Sequence, residues 1–155
     1  MAEICLRSAR PDEAAALSAL ALRSKGHWGY DDEFLDACRD ELTVHRLQIE
    51  AGAVVVAEQD GVVTGFSHFV GEPPLGEVYM LFVEPELIGS GVGAALFTAL
   101  CDAATEAGFT HVHIESDPNA AGFYERHGAV RIDDVPSVSI PGRTIPLLEL
   151  DLTTR

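Results

Sequence analysis

The sequence has few positive charges and no long apolar run. Its 155 residues include 10 Lys and Arg against 25 Asp and Glu, a formal net charge of −15 at pH 7. An acidic surface repels nucleic acid and favours a cationic small molecule. No apolar run approaches the roughly 18–20 residues of a membrane span, and the N-terminus lacks the charged-then-apolar pattern of a signal peptide. We therefore expect a cytoplasmic protein that binds neither nucleic acid nor membrane.

Cysteine is also scarce and shows no paired spacing. Cys5, Cys38 and Cys101 are an odd number of cysteines, which argues against a disulfide framework. We expect reduced thiols, at least two of them buried as small apolar groups. The hydrophobic content of 47% excludes a disordered chain. The length suits one domain over residues 1–155.

Hydrophobic periodicity and turn residues predict an α/β (α+β) fold in the order β-α-α-β-β-β-α-β-α-β-β. Asp60-Gly61 predicts a hairpin, and Gly108 and Gly128 predict helix ends. The predicted strands are 3–9, two within 53–71, 76–84, 110–116 and two around 139–144, and the predicted helices are 10–26, 31–42, 91–107 and 119–128. We expect a mostly antiparallel sheet of about seven strands, flanked by helices, with one parallel crossover from 76–84 to 110–116.

The stretch ELIGSGVGAALF places Gly89, Gly91 and Gly93 on alternate positions before an apolar helix. Glycines cost roughly 0.5–1 kcal/mol each in ordered structure, so three of them indicate a need for bare backbone rather than a plain turn. Gly89, Gly91 and Ala94 also fit a dinucleotide fingerprint, with Glu115 at about the expected distance. However, the segment EPELI separates these glycines from their strand, and the Walker lysine is absent. An anion cradle of backbone N–H groups fits better.

Two motifs carry a family resemblance. LFVEPELIGSGVGAAL (81–96) resembles the acetyl-CoA-binding motif of the GCN5-related N-acetyltransferases, a strand ending in Val-x-Pro followed by R/Q-x-x-G-x-G/A at a helix start. Its slots here are Ile88, Gly91 and Gly93. DPNAAGFYERHGA (117–129) is similar to the family's second signature, and the element order also matches. Because Ile88 replaces the usual Arg or Gln, a side-chain contact to the cofactor is lost.

The resemblance implies acetyl-CoA as co-substrate and direct transfer of acetyl to an amine in a ternary complex, without a metal. In the family, loop amides bind the pyrophosphate, and the preceding strand pairs with the pantetheine arm. A backbone N–H near Phe82–Val83 would polarise the acetyl carbonyl. The implied cofactor-binding residues are Leu81, Phe82, Val83, Ile88, Gly89, Ser90, Gly91, Val92, Gly93, Ala94 and Asn119.

Two residues are predicted to be catalytic. Tyr124 matches the family's general acid, because a phenol of pKa about 10 suits a thiolate leaving group. The alternative role is an aromatic anchor for the short helix, which is also how we interpret Phe123. Glu77 is the candidate base, because the resemblance places it early on the cofactor strand, where the histone-modifying members of the family have a base glutamate. A carboxylate on an apolar strand can also have a raised pKa. The alternative is an exposed strand-start glutamate. His68 is either a second candidate base or a half-buried structural histidine.

The stretch SKGHWGYDDEF joins the first two helices, a junction that overhangs the acceptor cleft in this fold. Aromatic rings beside carboxylates form a good site for an ammonium group. We therefore expect Trp28, Tyr30 and Asp31 to bind the acceptor, the alternative being helix caps and a core tryptophan. Arg143 either holds an acceptor carboxylate or decorates a turn.

The favoured function is acetyl-CoA-dependent acetylation of a small-molecule primary amine. One alternative is acetylation of a protein N-terminus or lysine, and another is a non-catalytic acyl-CoA-binding sensor. A homodimer is possible. We interpret His111 and His113 as structural, because no other ligand spacing supports zinc.

Overall fold

The computed structural model describes residues 2–155, which form seven strands and five α-helices. The strands are β1 (Cys5–Ser8), β2 (Val54–Gln59), β3 (Val62–Glu72), β4 (Leu75–Val83), β5 (His111–Glu115), β6 (Val130–Pro136) and β7 (Thr144–Asp151). The helices are α1 (Ala14–Gly26), α2 (Asp32–Cys38), α3 (Arg46–Glu50), α4 (Val92–Glu106) and α5 (Ala121–Arg126). None of these helices is long and apolar enough to cross a membrane.

The seven strands form one sheet in the order β1-β2-β3-β4-β5-β7-β6. Strands β4 and β5 pair in parallel. The pairs β1–β2, β2–β3, β5–β7 and β6–β7 are antiparallel. A two-residue turn, Pro73-Pro74, joins β3 to β4, and only antiparallel neighbours can be joined so tightly. The predicted sheet and its parallel crossover are therefore confirmed.

Tight turns occur where the sequence predicts them. Asp60 and Gly61 both have positive φ, 53° and 78°, as a two-residue hairpin turn requires. Gly108 follows α4 with a φ of 96°, and Gly128 follows α5 with a φ of 99°. Both glycines therefore take the left-handed conformation that ends a helix.

Two helix predictions need correction. Helix α3 was not predicted, because five residues are too few for a helical period to show. The helix predicted over 31–42 ends at Cys38. Beyond Cys38 the chain continues in turns, with the Leu42 N–H still bonded to the Cys38 carbonyl at 3.0 Å.

The chain divides into two compact units. The first comprises the residues up to His68 together with Met80–Leu100, and the second comprises Phe69–Tyr79 and Cys101–Arg155. The single domain expected over 1–155 stays a prediction.

The first unit contains two packed groups, one on α1 and one at the end of β4. Helix α1 buries the predicted stripe of Leu17, Leu20 and Ala21. A second cluster consists of Ala57, Val83, Val92 and Leu96. It packs the last residue of β4 against the first turns of α4, so the loop between them is held at both ends.

In the second unit, β5 and β7 have one buried face and one open face. Val112, Ile114, Leu148 and Leu150 are buried. The alternate residues of β5, including His113 and Glu115, are half-buried or exposed. Polar chemistry in this unit is therefore confined to one side of the sheet. Cys38 and Cys101 are buried and Cys5 is exposed, as predicted.

Candidate active site

The glycine loop between β4 and α4 is open and requires glycine. Gly89 and Gly91 have φ values of +88° and +103°, and a Cβ added at either would meet no atom within 4 Å. Residues with a Cβ rarely adopt such φ values. The loop therefore leaves bare backbone with free space beside it.

Two amides of this loop bond within the loop itself. The Ile88 N–H donates to the Pro85 carbonyl at 3.3 Å, and the Ser90 N–H donates to the Leu87 carbonyl at 3.0 Å. The Ile88 side chain is 36% exposed. The amides of Ile88 and Ser90 thus hold the loop's shape.

The amides best placed for an anion are those that begin α4. The Ala95 N–H donates to the Gly91 carbonyl at 3.0 Å and closes the first helical turn. N–H groups before that point have no carbonyl within the helix to receive them, and the helix dipole makes this end positive. These amides belong to Val92, Gly93 and Ala94. Amides and bare backbone together fit a pyrophosphate.

An ion pair ties the entry to this loop to α1. The guanidinium of Arg23 contacts both carboxylate oxygens of Glu84, Nε to Oε1 at 3.0 Å and Nη2 to Oε2 at 2.8 Å. This planar two-bond geometry fixes the orientation of the Glu84 side chain.

The end of β4 faces β3. The Glu84 N–H, directly after the strand, donates to the Thr64 carbonyl of β3 at 2.9 Å. In a regular strand, residues two apart face the same neighbour, so Phe82 faces β3 as well.

This pairing decides which backbone groups near the end of β4 face away from β3. A Cβ on Gly65 of β3 would lie 2.9 Å from the Phe82 carbonyl oxygen, so this carbonyl points to β3. The neighbouring residue, Val83, then directs its N–H and carbonyl to the opposite side. The β4–β5 ladder ends at the Glu77–His113 pair.

The second unit contains a cleft of about 410 Å³ on the open side of its sheet. It is lined by Val70, Gly71, Leu75, Gly76, Glu77, His113, Glu115, Val135 and Leu147. Apolar side chains form most of its wall, and three titratable groups project from neighbouring strands. That is the composition of a small-molecule site.

Two carboxyl groups meet in this cleft. Glu77 and His113 are register partners across the β4–β5 ladder, and Glu115 follows on the same face of β5. Both carboxyl groups line the cleft, and a side-chain hydrogen bond to Glu115 contributes to the electrostatics of Glu77. Burial, then the bond to Glu115 and its charge, raise the pKa of Glu77 to about 7, against a smaller opposing effect of His113. Glu77 can therefore exchange a proton near neutral pH.

Sequence reasoning did not assign Glu115 to this site and interpreted His113 as structural. The His113 Nε2 lies 2.8 Å from Glu149 Oε2, and these two residues are register partners on the neighbouring strands β5 and β7. The alternation in HVHIE places His113 and Glu115 on one face, but only the β4–β5 register brings them beside Glu77. His68 lies on β3, buried, and burial lowers its pKa.

Tyr124 is a buried residue of α5. Its ring packs edge-on against Phe123 with centroids 5.1 Å apart, and burial raises its pKa. The hydroxyl therefore stays protonated at neutral pH, as a general acid must be. The packing also suits an anchor, so both predicted roles remain compatible with the geometry.

Asn119 stabilises the loop before α5. Its N–H and Nδ2 both donate to Asp117 Oδ1, at 2.8 and 3.0 Å. Arg143 Nη2 lies 3.8 Å from the same Asp117 carboxylate. Arg143 thus has a carboxylate partner in the protein, which favours the turn role over an acceptor role.

The predicted acceptor residues between α1 and α2 have structural contacts of their own. Asp31 caps α2 by accepting from the Phe34 N–H at 2.8 Å. Tyr30 stacks on Phe34 with ring centroids 4.0 Å apart, and Lys25 Nζ lies 5.5 Å from the Tyr30 ring. Trp28 is 36% exposed, so it is not a core residue. Binding of an acceptor by Trp28, Tyr30 and Asp31 stays a prediction.

Comparison with known proteins identifies the family. A model of the acetyltransferase (GNAT) family matches residues 18–129. The chain belongs to this family. The resemblance deduced from the two motifs is confirmed. The prediction of an acyltransferase is confirmed at the level of the family. Among residues 2–155, no group of three His, Cys, Asp or Glu side chains could hold a metal ion.

Individual relatives agree with the family. A mycothiol acetyltransferase from Salinispora arenicola (strain CNS-205) is 34% identical, over 83% of this chain and 45% of that protein. This chain thus spans less than half of that relative. A GCN5-related N-acetyltransferase from Rhodopseudomonas palustris is 25% identical with a TM-score of 0.81, covering 97% of both chains.

A more distant structure shows the fold alone. PaiA N-acetyltransferase from Thermoplasma acidophilum, solved in complex with coenzyme A, is 16% identical with a TM-score of 0.79, covering 96% of this chain and 99% of that one.

Proposed function

We propose that this chain is an acetyl-CoA-dependent N-acetyltransferase that acetylates a primary amine of a small molecule. The observation that carries the proposal is the position of the Glu77 carboxyl in an apolar-walled cleft, where burial raises its pKa to about 7, in a chain of the acetyltransferase family. An acceptor amine is protonated at neutral pH and must lose a proton before it can attack a carbonyl.

The glycine loop and the end of β4 would hold acetyl-CoA. The first-turn amides of α4, Val92, Gly93 and Ala94, would bind the pyrophosphate. Of the two backbone N–H groups considered for the acetyl carbonyl, Val83 is favoured, because the Phe82 carbonyl points to β3. Loop amides of Gly89 and Gly91, backbone of Leu81 and the side chain of Asn119 complete the proposed contacts.

Two side chains would move protons during transfer. Acetyl-CoA supplies the acetyl group as a thioester. Glu77 takes one proton from the ammonium. The nitrogen then forms the C–N bond as the C–S bond breaks, and the nitrogen releases its second proton to solvent. The Tyr124 hydroxyl gives a proton to the departing sulfur and recovers one from solvent. The products are the amide, the thiol and one net proton.

The acceptor cleft favours a small cationic amine. Its volume of about 410 Å³ falls in the range typical of small-molecule sites. Its carboxyl groups attract an ammonium, and Val70, Leu75 and Leu147 offer apolar contact to a neighbouring alkyl chain. The relative from Salinispora arenicola is named for a small molecule, mycothiol, which supports an acceptor of this kind.

Two other functions remain to be compared. A net charge of −15 also suits a basic peptide, so a protein N-terminus or lysine is the second candidate acceptor. A non-catalytic acyl-CoA-binding sensor is the third candidate, and in it Glu77 and Tyr124 would have only packing roles.

Thiol release from acetyl-CoA, measured over a panel of acceptors, tests the proposal. The panel contains small alkyl amines, amino acids, amino sugars and peptides with a free N-terminus or lysine. We expect turnover with at least one small amine and weak or no turnover with peptides. Turnover with peptides alone would select the second candidate. Calorimetric binding of acetyl-CoA without turnover on any amine would select the sensor.

A further inference from the structure

His113 lies between two glutamates on three neighbouring strands. It is the register partner of Glu77 on β4 and of Glu149 on β7. Its side chain lines the cleft and is 27% exposed, so an acceptor bound in the cleft can reach it. The transfer described above uses Glu77 as the base and gives His113 no role.

The contact with Glu149 fixes which nitrogen of the His113 ring carries the proton. The His113 Nε2 lies 2.8 Å from Glu149 Oε2. An ionised carboxylate only accepts hydrogen bonds, so Nε2 is the donor, and the neutral ring then has its lone pair on Nδ1. The two nitrogens face nearly opposite sides of an imidazole, so this lone pair is directed away from Glu149.

The lone pair on Nδ1 is available to a ligand. Among residues 2–155, the bond with Glu149 is the only hydrogen bond of the His113 side chain. The other polar side chains that line the cleft are the carboxyl groups of Glu77 and Glu115. An ammonium has three N–H donors that diverge from one nitrogen. A second type of acceptor beside the carboxyl groups therefore improves the fit of a primary amine.

We propose that His113 is a specificity-determining residue whose Nδ1 accepts a hydrogen bond from the ammonium of the acceptor, and that Glu149 is the positioning residue that holds its ring. This inference rests on the proposed function. It specifies an acceptor with at least two N–H groups on the cationic nitrogen, one for Glu77 and one for His113. A neutral imidazole provides this recognition without adding charge to the cleft.

The test compares how two cations of equal charge bind to the natural chain and to His113→Phe. Butylammonium has three N–H groups and butyltrimethylammonium has none, and both carry one positive charge at pH 8. Phenylalanine keeps a ring of similar size and removes both nitrogens. Calorimetry is done in the presence of coenzyme A, which has no acetyl group to transfer.

The measured quantity is the ratio of the two affinities. The natural chain should bind butylammonium more tightly than butyltrimethylammonium. His113→Phe should lower this ratio roughly 10-fold, the usual effect of losing a hydrogen bond to a charged group. Any change in the charge of the cleft acts on both cations alike, so it cancels in the ratio.

Two variants of Glu149 test the positioning role. In Glu149→Leu, Nε2 has no acceptor, so the ring can turn or carry its proton on Nδ1 instead. The affinity ratio should then fall part of the way, roughly threefold. In Glu149→Gln, the amide oxygen can still accept from Nε2, so the ratio should stay within about twofold of the natural value. An unchanged ratio in Glu149→Leu would remove the positioning role.

His111→Phe is the matched control. His111 lies two residues before His113 on the same face of β5, and its register partner on β7 is also a carboxylate, Asp151. It is not among the residues that line the cleft. This variant should keep the affinity ratio within about twofold of the natural value.

The outcomes separate this inference from the proposed function. An unchanged ratio in His113→Phe, an equal fall in His111→Phe, or no binding of either cation overturns the inference, even if the chain acetylates amines. A lowered ratio in a chain that turns over no amine supports the role of His113 in binding and refutes the proposed function. Where butylamine is acetylated, His113→Phe should raise its KM and leave the KM for acetyl-CoA unchanged. A fall in kcat alone would contradict a binding role.

Discussion

At the scale of single residues, the site depends on where two protons reside. Glu77 holds a proton near neutral pH because of burial and Glu115. Tyr124 keeps its proton at neutral pH, because a phenol has an ordinary pKa of about 10 and burial raises the pKa of Tyr124 further. One group is therefore suited to accept a proton and the other to donate one, as acyl transfer to an amine requires.

Tyr124→Phe tests the donor. The change keeps the ring that packs on Phe123 and removes only the hydroxyl. If the hydroxyl protonates the sulfur, turnover should fall roughly 100-fold or more, with little change in acetyl-CoA affinity. Steady-state kinetics and calorimetry measure the two quantities. Normal turnover would leave Tyr124 as a helix anchor only.

Glu77→Gln tests the base through both activity and stability. Turnover should drop, and the loss should lessen at high pH, where the amine is already deprotonated. The folded-state pKa of Glu77 is raised from 4.5 to about 7. Its contribution to stability is therefore fully present below pH 4.5 and is lost as the pH rises through 7.

The direction of this pH dependence predicts how the stability of Glu77→Gln compares with that of the natural chain. At pH 8 the variant should unfold with a free energy greater than the natural chain's by on the order of 1 kcal/mol. The gain should vanish below pH 4.5, the ordinary pKa of the group. Urea melts at pH 4 and pH 8 measure the effect. If the variant and the natural chain differ in stability by the same amount at pH 4 and pH 8, the pKa of Glu77 does not lie near neutral pH.

At the scale of elements, the glycine loop is held between the end of β4 and the start of α4. The cluster of Ala57, Val83, Val92 and Leu96 packs the strand before the loop against the helix after it. The Arg23–Glu84 pair joins the loop entry to α1. The loop's bare backbone is therefore held in place by contacts on both sides.

Gly91→Ala should weaken acetyl-CoA binding more than it weakens the fold. Gly91 has a φ of +103°, with no atom within 4 Å of an added Cβ. The cost to stability is backbone strain, about 1–2 kcal/mol. The methyl group would also occupy the space proposed for the pyrophosphate. Calorimetry and thermal melts separate the two effects.

Gly52→Ala is the matched control for that change. Gly52 has a φ of +93° and equally open surroundings, but it lies between α3 and β2. It should lose similar stability and keep full acetyl-CoA affinity. Equal affinity losses in the two variants would show that the loop is only a turn.

At the scale of the whole molecule, net charge sets the long-range field. A chain of charge −15 repels the anionic acetyl-CoA and attracts a cationic amine. Backbone amides at a helix start let such a protein bind an anion without adding a basic surface. A cytoplasmic location and a homodimer stay predictions at this scale.

Ile88→Arg should tighten acetyl-CoA binding. Ile88 is 36% exposed, so an arginine can reach solvent and contact a phosphate. We expect a gain of about 1 kcal/mol that shrinks as salt is added. Affinity measured at low and high ionic strength checks both statements.

Leu47→Arg separates local contact from total charge. Leu47 is 75% exposed on α3, and the variant gains the same single charge. It should tighten acetyl-CoA binding only slightly, and only at low salt. If both variants gain equally, the effect of Ile88→Arg is long-range charge and not a phosphate contact.

The sequence by itself determined the elements, the family and the glycine loop, because local rules encode them. Period-2 and period-3.6 patterns, the Asp60-Gly61 turn and the Gly108 and Gly128 helix ends depend on neighbours along the chain. The prediction missed α3 and placed the end of α2 too late, because short helices carry too little periodicity.

The tertiary structure alone decided which residues distant in sequence meet. Glu77 and Glu115 lie far apart in the sequence. The β4–β5 register pairs Glu77 with His113, and Glu115 lines the same cleft. The direction of the Val83 amide likewise depends on the pairing of the end of β4 with β3, where the Glu84 N–H donates to the Thr64 carbonyl. The sequence indicated a raised pKa for Glu77, but register and desolvation arise from packing, so only the folded chain shows which side chains lie beside Glu77.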